Sequence, residues 1–168
     1  MNESNHPAWY AVWTASRHEK VVNLELSKKR LETFLPLMKV LSQWKDRRKL
    51  VEKPLFPGYL FVHTTLDHRL DVLKTSGVVQ IVGIKNVPEP IPDQQIENIQ
   101  ILLRSDLKYD PHPSLTVGQR VRVRTGALQG CEGILVRKKN LSTLVLSIEL
   151  LQQAVAVEVD ALNVEPLH

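Results

Sequence analysis

The sequence predicts an α+β N-terminal domain, an antiparallel sheet with packed helices, followed by a small C-terminal β-barrel. Three observations predict it. Runs of strand period and helix period alternate through the first two thirds of the chain, in the order strand, helix, strands, helix, strand, helix. Asp110-Pro111-His112-Pro113 then cannot continue a helix and reads as part of a linker. From Thr116 onward there are only short alternating segments separated by turns, the pattern of a small barrel. The expected boundaries are 1–106 for the first domain, 107–115 for the linker and 116–168 for the barrel.

Trp9-Tyr10-Ala11-Val12-Trp13 is aromatic and β-branched, and reads as a short buried strand. Ser16 caps the helix that follows, with Glu19 in capping-box spacing. Val21, Leu24 and Leu31 supply its inner stripe, broadened by Val22 and Leu26. Phe34 to Trp44 is extended, with Pro36 at an edge or bulge. Lys45-Asp46-Arg47-Arg48-Lys49 forms the tip of a hairpin, and Leu50 to Lys53 its returning arm. Phe56-Pro57-Gly58 breaks the pattern before the strand Gly58-Tyr59-Leu60-Phe61-Val62. Asp67 caps a helix carrying Leu70 and Leu73, stopped by Gly77. Val78 to Val82 is a further strand. Pro92-Asp93 opens a third helix with Ile96, Ile99, Leu102 and Leu103 on one face.

In the C-terminal part, Val121 and Val123 alternate with Arg120, Arg122 and Arg124. Leu144, Leu146 and Ile148 alternate, as do Val155, Val157 and Val159. Residues 144–162 lack Gly and Pro, and Gln152-Gln153-Ala154 would suit a helical link. The period of two outweighs it, so strands are expected there.

Composition narrows the function. Hydrophobic residues make up 43% and charged residues 24%, which is ordinary for a globular protein. No apolar run is long enough to cross a bilayer, and the polar opening Met1 to Pro7 does not read as a secretory signal. Cys131 is the only cysteine, which fits a reducing cytoplasm and leaves no intrachain disulfide to form. One cysteine and no His-x-x-x-His pair make a structural zinc site an unfavourable reading. There is no G-x-x-x-x-G-K-[ST] loop, no G-x-S-x-G elbow and no H-E-x-x-H. The chain is therefore expected to bind rather than catalyse, with no metal and no cofactor. Net charge is +4, too small for tight nonspecific duplex binding, so a protein partner is expected to supply most of the affinity.

Two blocks carry a resemblance. Trp9-Tyr10-Ala11-Val12 with Pro54-Leu55-Phe56-Pro57-Gly58-Tyr59-Leu60-Phe61-Val62 resembles the NGN domain of NusG-type elongation factors. Val117-Gly118-Gln119-Arg120-Val121-Arg122-Val123, then Gly126 to Gly133, resembles the KOW motif that follows it. Arg17-His18-Glu19, Pro54 to Gly58 and Leu150-Leu151-Gln152-Gln153 look like specialised UpxY-like antiterminators, relatives of RfaH. The resemblance implies a cytoplasmic, monomeric antitermination factor. Its NGN domain would dock on the clamp helices of the largest RNA polymerase subunit through Trp13, Tyr59, Phe61 and Ile84. Arg17, His18 and Lys20 would face the nontemplate DNA strand, and the KOW domain would recruit a ribosomal protein, Rho or RNA.

The residues themselves leave choices open. Trp13 suits sheet core as well as an exposed anchor, whereas Tyr59 and Phe61, sharing strand parity, read as anchors. Trp9, Tyr10, Leu60 and Val62 read as core. Arg17, His18 and Lys20 suit a phosphate at a helix start or a plainly solvated end. The charged hairpin tip reads first as a solvated turn, with upstream duplex DNA as the alternative contact. Gly126, Gly130 and Gly133 read as residues that permit tight loops, and Cys131 as a small buried side chain. The rival reading of the whole is a ribosome-associated or RNA-binding KOW protein.

Overall fold

The computed structural model describes residues 6–113 and 116–168. The opening residues 1–5, and Ser114 and Leu115 at the end of the expected linker, lie outside them. The chain divides into two compact units, Met1–Pro90 and Ile91–His168.

The first unit runs β1 (Ala8–Thr14), α1 (Glu19–Lys28), β2 (Glu32–Phe34), β3 (Leu37–Trp44), β4 (Arg47–Pro54), β5 (Tyr59–Thr64), α2 (Arg69–Leu73), β6 (Val78–Ile81), β7 (Gly83–Ile84) and β8 (Val87–Pro88). Strands β2-β5-β1-β6 form an antiparallel sheet in that order. Central β1 is buried from Trp9 to Val12, which is why its sequence is continuously apolar rather than alternating. Tyr10 and Val12 of β1 and Leu60 and Val62 of β5 meet Val22 and Leu26 of α1 and Val72 of α2 in one core.

That core takes only part of the expected α1 stripe, Val22, Leu26 and Leu31, and a different face of α2. Val22 and Leu26 are fully buried, while Val21 and Leu24 are 52% and 56% exposed. Spacings of three and four both fit a helix, so periodicity alone leaves the choice open. Packing settles it, because Val22 sits where a side chain on Gly77 would fall, 2.9 Å from that position. On α2, Val72 is buried and Leu70 and Leu73 face outward. The Ser16–Glu19 capping box does not form either: α1 begins at Glu19, and the Ser16 carbonyl instead accepts from His18 Nδ1 at 2.8 Å. Asp67 lies in a 3₁₀ turn ahead of α2, whose N-cap is His68. Strands β3 and β4 pair as a two-stranded ribbon whose turn is only Lys45-Asp46, with Arg47 to Lys49 already in β4. Lys45 takes a left-handed φ of 46°, which lets so short a turn close.

The second unit runs α3 (Asp93–Arg104), β9 (Tyr109–Pro113), β10 (Gln119–Val123), β11 (Glu132–Lys138), β12 (Leu141–Ile148), β13 (Gln153–Val159) and β14 (Val164–Pro166). Its six strands are antiparallel in the order β14-β10-β11-β12-β13-β9. Strands β12 and β13 pair from Ser142↔Val159 to Ile148↔Gln153, around a turn with Gln152 at a left-handed φ of 53°. The period-two reading of this stretch therefore holds, and the helical alternative is not adopted.

Two boundaries differ from expectation. Residues 109–113 of the expected linker form β9, paired with β13. Pro111 and Pro113 are tolerated because β9 ends the sheet, where a missing N–H breaks no further ladder. Helix α3 belongs to the second unit, not the first. Its Ile96, Ile99 and Leu102 are fully buried, as their spacing predicts. Polar bonds fix its position on the sheet. The Asn98 side chain, 2% exposed, donates to the Glu132 carbonyl at 2.7 Å and accepts from the Glu132 N–H at 3.0 Å. Gln94 Nε2 donates to Asn98 Oδ1 and to the Gly130 carbonyl, and Gln95 Oε1 accepts from Glu149 N–H.

Asn98→Leu removes the side-chain partner of both Glu132 backbone groups while keeping the volume. A buried polar group left unpaired costs about 1–3 kcal/mol, so the variant is expected to lose about 3 kcal/mol in urea denaturation. Asn98→Asp, which keeps one of the two bonds, is expected to fall between Leu and the natural residue.

Candidate functional site

The faces of the first sheet are unequal. One covers the core shared with α1 and α2. The other carries the odd-numbered residues Trp9, Ala11 and Trp13 of β1 and Tyr59, Phe61 and His63 of β5, set opposite one another by the strand register. Its middle is closed. Phe61 is fully buried, with ring centroids 6.1 Å from both Phe34 and Phe56. Trp9 is edge-on to Phe34 at 6.4 Å and stacks near His63 at 5.0 Å. His63 Nδ1 donates to Glu32 Oε2 at 3.0 Å.

One end of this face is open. Trp13 is 43% exposed, directly opposite Tyr59 on one side and Gln80 on the other. Tyr59 is half-buried. A bulge between Trp13 and Thr14 ends the regular pairing with β6, and Thr14 N–H donates to the Gly58 carbonyl at 2.9 Å. The result is two amphipathic side chains held side by side on paired strands, each with an apolar body and a polar N–H or O–H.

Of the four residues expected to form a docking patch, the fold thus brings two together. Phe61 is a correction: it has the strand parity of Tyr59, but it lies mid-strand between two phenylalanines and supports the face from within. Parity reports a face and does not say how far along the strand that face stays open. Ile84 is 57% exposed on a separate ribbon, β7–β8, whose turn residues Lys85 and Asn86 both have left-handed φ. Its cross-strand partner Val87, 62% exposed, was missed by sequence reasoning. The signal was an apolar residue on each side of a Lys-Asn turn.

Arg17 and His18 lie on the exposed turn into α1, with Arg17 at a left-handed φ of 62°, and Lys20 is exposed in the helix's first turn. The Lys20 ammonium donates to the Glu52 carbonyl of β4 at 2.9 Å, so it ties this turn to the β3–β4 ribbon. In the second unit, Gly126 and Gly130 have φ of 94° and 91°, which a side chain would strain. Gly133 differs from expectation, since it is a β11 residue rather than a loop residue. A side chain there would meet the Val145 carbonyl oxygen at 2.4 Å, so the requirement is close strand approach. Cys131 is fully buried, and burial pushes its thiol up to about 11. Among the described residues no His, Cys, Asp and Glu side chains cluster as a metal site, and no helix is long and apolar enough to cross a membrane.

Known proteins resemble this chain along most of its length. Residues 7–100 match the family model NusG, described as transcription termination factor nusG. The transcription termination/antitermination protein NusG of Borreliella burgdorferi is 24% identical over 95% of this chain and 98% of its own length. That of Chlamydia pneumoniae is 31% identical, over 70% of this chain and 71% of its own. A solved structure described as domain interaction in Thermotoga maritima NusG covers 96% of this chain and 98% of its own, with a TM-score of 0.55 and 20% identity, and speaks for the fold.

Trp13→Ala and Phe61→Ala separate an open anchor from a buried support. Phe61→Ala is expected to cost about 3–5 kcal/mol in denaturant unfolding, as for other buried aromatics. Trp13→Ala is expected to cost about 1 kcal/mol or less. The native Cys131 thiol is expected to resist a thiol reagent near neutral pH and to react once the chain is unfolded, because the buried group stays protonated far above the ordinary thiol range.

Proposed function

The chain belongs to the NusG family, and we propose that it docks on RNA polymerase through the Trp13–Tyr59 end of its first sheet. It is a factor of transcription elongation and antitermination. The observation that supports docking is an indole 43% exposed in register with a half-buried tyrosine, at an open end of a sheet face closed in its middle. Aromatic anchors suit such a role, because each buries roughly 150–250 Å² and loses little side-chain freedom on binding. These two are already held on hydrogen-bonded strands, so ordering them costs little further. Ile84 and Val87 extend the apolar contact from the β7–β8 ribbon.

The partner surface we assign is the clamp-helix region of the largest polymerase subunit, and the outcome is fewer pauses. A factor that binds the elongating state better than the paused state shifts the population toward elongation, by as much as its affinities differ. Arg17 and His18 would contact the nontemplate strand passing the docked domain. The second unit would hold a ribosomal protein, Rho or RNA at raised local concentration. Action is by binding, and no group on the chain has to transfer atoms. A specialised antiterminator role of the UpxY type is part of the same reading.

Tagged protein is expected to capture core RNA polymerase. Trp13→Ala and Tyr59→Ala are each expected to weaken capture about thirtyfold, the loss of about 2 kcal/mol typical of a central anchor. The double variant is expected to lose pause suppression in a purified elongation assay. Undiminished capture and pausing behaviour in the double variant, shown to be folded by circular dichroism, would sink the proposal.

A further inference from the structure

We draw no further inference here: the strongest candidate, the open cleft of about 620 Å³ between Leu107, Lys108 and the adjoining ends of β12 and β13, is rimmed by charges of both signs, Lys108 with Glu158 and Asp160, and nothing in the structure shows what covers it.

Discussion

The pairing of β1 with β5 is the constraint on which the first unit depends. Six residue pairs, from Ala8↔Thr64 to Trp13↔Tyr59, fix which side chains share a face. A slip of one residue would exchange the faces and put Tyr10, Val12, Leu60 and Val62 on the wrong side of the sheet. The same register decides what lies outside. It sets Trp13 beside Tyr59 at the end of the strands, where the sheet closes no further. The exposed ring pair is therefore a consequence of the core pattern.

The second unit is organised by satisfaction of buried polar groups. Asn98 is almost fully buried on a helix that also buries Ile96, Ile99 and Leu102. A buried carboxamide is tolerable only where its donors and acceptor find partners. Here it meets both backbone groups of Glu132, close to the turn that Gly126 and Gly130 allow to form. Hydrophobic burial supplies the stabilisation. The amide fixes the position, because hydrogen bonds have direction and methyl contacts do not.

Much of the fold and part of the candidate site were legible in the residues. The buried run from Trp9, the Pro92-Asp93 helix start and the alternation in 144–159 gave the right elements, because each has one consistent pattern and a clear boundary. The faces of α1 and α2 were not legible. Val21 and Val22 are neighbours of equal hydrophobicity, and only packing against β1, β5, α2 and Gly77 selects one of them. Tyr59 and Phe61 could not be told apart for a related reason. Identical parity gives identical faces, while burial depends on Phe34 and Phe56, which arrive from elsewhere in the sequence. The tip of the β3–β4 ribbon read as five polar residues, yet three of them belong to a strand, because an exposed ribbon tolerates charge on both faces.

By itself the sequence determined the order of strands and helices, the change to an all-strand pattern after the third helix, and the two motif blocks that resemble one family. These depend on local periodicity, on turn residues and on residue spacing, which any short stretch of chain already contains. The tertiary structure alone decided that α3 joins the second unit, that β9 occupies part of the expected linker, and that Trp13 is open while Phe61 is closed. Each is a question of which distant surface arrives first at an apolar or hydrogen-bonding group. That is settled by competition among contacts far apart in the chain, and no local pattern records its result.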